Sequence, residues 1–181
     1  MAYEGLQGKN VLVTGGSSGI GQAIAIRLGA EEGCNVAINY RSSQEEAQET
    51  IDKIEAGIAE CRHRVEGAGR TFIPVQADVS KSDDVQRMMR ESIDALGGLD
   101  IVVNNAGIQI AGDSHKIDLG KFQKVLEVNL IGAFHVAQLA IQHFLDTDKP
   151  GVIINVSSVH QQIPKPRFVG YSRSEEHTSE L

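Results

Sequence analysis

Only two cysteines, Cys34 and Cys61, occur in 181 residues, and their separation fits no metal-ligand pattern. Both read as ordinary thiols of a reducing cytoplasm, and no metal site is expected. Basic residues are also in deficit: 17 Lys and Arg face 24 Asp and Glu, a formal net charge of −7. That balance argues against nucleic acid or an anionic membrane as the main partner. No apolar run reaches the ~20 residues that span a bilayer. The N-terminal Met1-Ala2-Tyr3-Glu4-Gly5 has neither the basic nor the apolar part of a signal peptide. No internal repeat or low-complexity linker interrupts the chain. Tryptophan is absent, which decides nothing. What is present is ordinary for a folded domain: 41% hydrophobic and 23% charged residues, in a chain long enough for one core.

The apolar pattern alternates between strands and helices. Residues 10–13, 36–40, 71–77, 99–103 and 152–156 read as strands, with Pro74 marking the third as an edge. Helices are expected at 19–32, 43–66, 80–96 and 119–145, the last with a break near Gly132. In the second, Ala47, Ile51, Ile54, Ile58, Cys61 and Val65 recur at alternating gaps of four and three, the stripe of one amphipathic helix. Ser80 is the expected N-cap of the third, and residues 108–117 and those after Ser157 read as irregular. Such βαβ repetition implies one doubly wound α/β domain with a parallel sheet covered on both faces.

The chemistry begins at Thr14-Gly15-Gly16-Ser17-Ser18-Gly19-Ile20-Gly21, between the first strand and the first helix. Strand, glycine-rich turn and helix form the context of a dinucleotide-binding loop. Gly15 allows the tight turn, Gly19 the close approach of a pyrophosphate, and Gly21 the packing of the helix. Ser17 and Ser18 add hydroxyls where the helix already offers unpaired N–H groups. Asp78-Val79, Asn104-Asn105-Ala106-Gly107 and Ser157-Ser158 end the third, fourth and fifth strands, on the edge where the glycine loop lies. Asp78 can accept a hydrogen bond from an adenine amino group, or serve as a turn or capping residue. The second strand ends in Asn39-Tyr40-Arg41-Ser42, with no acidic residue to bond a ribose 2′-hydroxyl. Arg41 can instead bind a 2′-phosphate, so NADP(H) is the expected cofactor, with NAD(H) as an alternative.

Taken in order and spacing, Thr14 to Gly21, Asp78-Val79, Asn104 to Gly107, Asn129, Ser158 and Tyr171 resemble the short-chain dehydrogenase/reductase family over essentially residues 5–172. The stretches from Ile38 to Ser42 and from Asn155 to Pro166 are similar to its glucose 1-dehydrogenase branch. The resemblance implies a Rossmann-type sheet of order 3-2-1-4-5 and hydride transfer between a nicotinamide and an alcohol or carbonyl substrate such as a sugar or polyol. It implies that Ser158 orients the substrate oxygen, Tyr171 is the general acid/base and Asn129 holds a water of a proton relay. His160 and Gln109 would line the substrate pocket. Ile20, Tyr40, Ser42, Asp78, Val79, Asn105, Ala106, Gly107 and Tyr171 would join the glycine loop and Arg41 around the cofactor.

Two departures from the family pattern stand out. The family places a lysine four residues after the tyrosine, and this chain has Glu175. A carboxylate there opposes a phenolate by like-charge repulsion, which raises the alternative of a non-catalytic, nucleotide-binding chain. The nine residues from Arg173 to Leu181 have no apolar period and match the translation of a common short-read sequencing adapter. They are expected to be a non-native tail on a domain of residues 1–172 that lacks the last strands and helices of the family fold. The family also implies a homotetramer for the parent protein, built by the long helix ending near Leu145 and the helix following Tyr171. That second helix is expected to be missing.

Overall fold

Val11, Val13, Val36, Ile38, Ile101 and Val103 alternate along their strands with Leu12, Ala37 and Val102, and this period of two sorts them into two cores. The chain, a computed structural model describing residues 5–60 and 69–178, folds around that alternation. Its elements are β1 (Asn10–Val13), α1 (Gly19–Ile26), β2 (Asn35–Tyr40), α2 (Gln44–Glu60), β3 (Phe72–Gln76), α3 (Ser82–Leu96), β4 (Ile101–Asn104), α4 (Leu119–Leu126), α5 (Ala133–Asp146), β5 (Val152–Asn155) and α6 (Val169–Thr178). The five strands form a parallel sheet of order β3-β2-β1-β4-β5, with Val11 level with both Val36 and Ile101. One core packs against Ala25 of α1 and Ala47, Ile51 and Ile54 of α2. The other packs against Val85, Met88 and Met89 of α3 and Val136 and Ala140 of α5.

The strand order reverses at β1, which lies between β2 and β4, so a crevice opens at the carboxyl ends of these strands. β3, with Pro74, is an edge strand as expected. β5 is the other edge, and Val152 and Ile154 remain about half exposed on it. The stretch Leu119–Asp146 meets the length and composition of a membrane span, but 44% of its most apolar window is buried within the domain. Val125, Val128, Val136, Ala137 and Ala140 are among those buried residues, the mark of a core helix.

Four expectations need correction. The break near Gly132 is a π-helical turn, Glu127–Gly132, which continues the helix instead of stopping it. Ser80 does not cap α3: Lys81 stands at the N-cap, while Ser80 turns back to donate its N–H and hydroxyl to Asp78 Oδ1 at 3.0 and 2.6 Å. Residues after Ser157 are not all irregular, for Val159–Gln161 form a 3₁₀ turn and α6 follows. The helix carrying Tyr171 is therefore present and runs past Ser172, with Ser174 and Glu175 buried. It packs on α4, where a Cβ on Gly170 would lie 3.3 Å from the Phe122 ring. The expected helix over 43–66 is observed to Glu60, and Cys61 and Val65 lie outside the described residues.

Candidate active site

Two adjoining clefts occupy the crevice and share the wall Ala106-Gly107-Ile108. The first, of about 250 Å³, gathers Gly15, Ser17, Ser18, Tyr40, Arg41, Ser42, Asp78, Val79, Ala106 and Gly107 of the expected cofactor residues. The second, of about 280 Å³, gathers Ile20, Asn105, Gln109, Asn129, Ser158 and Tyr171. Gly19 and Gly21 line neither cleft and act on the shape of the loop instead.

The glycine loop is built for close approach. Gly15 and Gly19 adopt φ of +62° and +55°, the left-handed region that glycine enters without a steric cost. A Cβ on Gly19 would stand in open space, so the φ alone demands glycine there, and the backbone is left bare toward the solvent. A Cβ on Gly21 would collide with the Gly15 carbonyl oxygen and Asn105 Nδ2, so Gly21 seats α1 against the loop and the turn after β4. Ser18 is the N-cap of α1 but makes no capping hydrogen bond. The first N–H groups of the helix, which have no intrahelical partners, are thus not capped by the residue placed to do so, an arrangement suited to a phosphate. These features fit the pyrophosphate of a dinucleotide.

Thr14 joins the two halves of the site. It is buried, its hydroxyl donates to Val103 O at 3.3 Å, and it accepts from the N–H groups of Asn105 and Ala106 at 3.0 Å each. Asn105 Nδ2 returns bonds to the carbonyls of Thr14 and Gly15 at 3.0 and 3.2 Å. Thr14→Val keeps the shape but leaves two N–H groups without an acceptor. The change is expected to cost about 2–4 kcal/mol and to lower Tm by on the order of 10 °C in thermal unfolding. A shift below about 2 °C would mean the hydroxyl braces nothing.

Asn39 is a second brace that the sequence reading passed over. It is buried at the end of β2, its Oδ1 accepts from Gly15 N–H at 3.1 Å, and its Nδ2 donates to the carbonyls of Val75 and Ala77. A polar side chain within an otherwise apolar strand is the signal that could have found it. Lys124 is another: its Nζ lies 2.6 Å from Ser80 Oγ and 3.5 Å from Asp78 Oδ2. Burial pushes the Asp78 carboxyl up, but the Ser80 hydroxyl and N–H and the Lys124 ammonium outweigh it, and the group sits below its ordinary range. Arg41 is exposed at the rim, and no hydrogen bond or ion pair of its guanidinium is found among the described residues. Glu46, unremarked in the sequence, lines the same cleft and sets a negative charge there.

In the second cleft the π turn presents Asn129, whose Oδ1 accepts from Ile108 N–H at 2.9 Å and whose Nδ2 donates to Ile108 O and Ser174 Oγ. Ser158 caps the 3₁₀ turn by accepting from His160 N–H at 3.2 Å. Gln109 is on the wall, but His160 is not: its ring stands edge-on to the Tyr171 ring, centroids 6.1 Å apart, with Nδ1 2.9 Å from Ile163 O. Glu175, one helical turn beyond Tyr171, is 5% exposed and accepts from Ser157 Oγ at 3.1 Å. Burial raises its carboxyl above the usual range, against the lowering effect of the Ser157 and Ser174 hydroxyls and the Ser158 N–H. Away from both clefts, burial pushes the Cys34 thiol up to about 11. Among the described residues no three His, Cys, Asp or Glu side chains converge as a metal site.

Comparison with known proteins places this architecture. The short chain dehydrogenase family model matches residues 9–176. The chain belongs to that family of oxidoreductases. It is 47% identical over 172 residues to 3beta-hydroxysteroid dehydrogenase 1 of Eggerthella lenta, covering 95% of this chain and 61% of that protein. It is 39% identical to glucose 1-dehydrogenase 2 of Bacillus subtilis, with 95% and 62% covered. A Burkholderia cenocepacia short chain dehydrogenase in complex with NADP superposes with a TM-score of 0.80 at 37% identity, over 94% of this chain and 64% of that one. The chain thus spans about three fifths of the length of the curated relatives it matches.

Proposed function

We propose that the chain derives from an NADP(H)-dependent oxidoreductase, able to use NAD(H) as well, that interconverts an alcohol and a carbonyl. The observation that carries this reading is the meeting of Asn129, Ser158, Tyr171 and Gln109 in one cleft that shares a wall with the cleft of Arg41 and the glycine loop. The nicotinamide, when bound, supplies or accepts the hydride. Gly15, Ser17, Ser18 and the start of α1 hold the pyrophosphate, Asp78 and Val79 the adenine, and Asn105 to Gly107 the riboses. Ser158 donates to the substrate oxygen, Tyr171 gives or takes the proton there, and Asn129 holds a relay water. Similarity to glucose 1-dehydrogenases supports a sugar or polyol as the substrate.

Arg41 sets the cofactor preference by pairing with a 2′-phosphate. Arg41→Ala is expected to weaken NADPH by roughly tenfold or more, a charged hydrogen bond being worth about 1.5–3 kcal/mol, and to leave NADH nearly unchanged. Fluorescence titration with both nucleotides checks this, and equal losses would sink the assignment.

A second reading, a nucleotide-binding chain without catalysis, is favoured by one observation: Glu175 is buried in the second cleft where the family has lysine. Residues 173–181 are proposed to be foreign to the domain, which sequencing of the source DNA across Ser172 tests. The parent is proposed to be a cytoplasmic homotetramer. Ile131, Phe134, Ile141 and Leu145, spaced three, seven and four apart and exposed along one helix, supply the apolar stripe such an interface requires.

A further inference from the structure

A third cavity, of about 290 Å³, lies under the loop between the 3₁₀ turn and α6 and is lined by Ser114, Pro164, Lys165, Pro166, Arg167 and Ser172 among others. We propose that it is an anion subsite, which takes a carboxylate or phosphate carried by the alcohol or carbonyl substrate. This rests on the oxidoreductase reading and narrows its polyhydroxy substrate to one that carries an acidic group.

Three observations support the subsite. The first is charge: Lys165 and Arg167 line one cavity of a chain whose net charge is −7. Arg173 lines it too, from the segment proposed as foreign, but Lys165 and Arg167 already supply two cations. The second is backbone cost. Arg167 has φ +69°, a conformation glycine would adopt more easily. Its carbonyl accepts from Gly112 N–H at 2.8 Å and the next residue, Phe168, bridges Gly112, so the loop is fixed in that conformation. An arginine held where glycine fits better points to a use for its side chain.

The third is position. Lys165 Nζ reaches Gln109 Oε1 at 3.4 Å and lies 4.0 Å over the Phe168 ring. Gln109 lines the cleft of Ser158 and Tyr171. Tyr171 faces that cleft while the next residue, Ser172, faces the cavity, and Ser172 Oγ accepts from Lys165 N–H at 3.2 Å. The two spaces therefore flank the start of α6. The existing partners are weak competitors: Gln109 is neutral, the Phe168 ring offers Lys165 only a cation–π contact, and Asp113 meets Arg167 Nε at 3.4 Å on the exposed surface.

The test is calorimetric titration of the NADP-saturated chain with inorganic phosphate, and with ω-hydroxy carboxylates of four to ten carbons against diols of the same length. Saturation with NADP keeps phosphate out of the glycine loop. At least one hydroxy acid is expected to bind roughly tenfold more tightly than its diol. Lys165→Gln with Arg167→Gln should abolish that preference and phosphate binding together, with NADPH affinity unchanged. Asp113→Asn, which frees Arg167, should strengthen both, so a misfolded double variant cannot decide the matter alone. Phosphate binding with no preference for any hydroxy acid would overturn the substrate assignment. Phosphate binding unchanged in the double variant, or none in the parent chain, would overturn the subsite. Failure to bind NADPH would instead overturn the oxidoreductase reading, and phosphate titration of the free chain, compared with the double variant, then still decides the subsite.

Discussion

Gly21→Ala is expected to destabilise the chain by about 3 kcal/mol or more and to abolish measurable NADPH binding. One methyl group has this effect because of what it meets. The added carbon would overlap the Gly15 carbonyl oxygen and Asn105 Nδ2, and the first is backbone that cannot swing aside. Relief requires α1 to move off the glycine loop, which pulls on Asn105 and hence on its bonds to the carbonyls of Thr14 and Gly15. The comparison that isolates the cause is Gly19→Ala. That Cβ meets nothing, and the substitution suffers only from φ +55°, a cost of roughly 1–2 kcal/mol. Denaturant unfolding of the two variants should rank Gly21→Ala clearly below Gly19→Ala. The reverse order would mean that backbone conformation, not packing, selects glycine in this loop.

That contrast also shows what the sequence makes legible. The glycine loop, the alternation of strands and helices and the edge position of β3 follow from local pattern: apolar runs, spacing and one proline; the sheet order came from the family resemblance. The π turn did not follow, because one extra residue per turn hardly disturbs the apolar period of a long helix, yet it is the element that carries Asn129. Ser80 satisfied the rule for an N-cap but found a nearer partner in Asp78. The helical course of α6 was hidden because the residues it buries are Gly170, Ser172, Ser174 and Glu175, which give no apolar stripe. Its position is set by α4 instead. The site residues were found through motifs, whereas the braces Thr14 and Asn39 serve through bonds to segments far along the chain, which no spacing rule reports.

The charge at position 175 decides between the two functional readings. Glu175 and Tyr171 are four residues apart on α6, hence on one face, and both line the second cleft. A lysine at 175 would place an ammonium where it stabilises a phenolate oxygen as the proton moves and where it donates to ribose hydroxyls, as the family pattern implies. Glu175→Lys is therefore expected to raise NADPH-dependent carbonyl reduction from background by roughly a hundredfold, the scale of acid–base assistance, and to tighten NADPH about tenfold. Glu175→Gln separates the gain of an ammonium from the loss of a carboxylate, and should recover far less of either effect. The carboxylate also has a pH signature. Its folded value is raised by burial, so the folded chain holds that proton more tightly than the unfolded chain. Its destabilising effect is absent below the ordinary carboxylate range, grows as pH rises toward the raised folded value, and is complete above it. Glu175→Gln should accordingly be more stable than the parent chain at pH 7 and lose that advantage on acidification, as thermal unfolding across pH would record. Turnover by the parent chain equal to that of Glu175→Lys would dismiss the non-catalytic reading. NADPH affinity unchanged by the lysine would remove position 175 from the cofactor site.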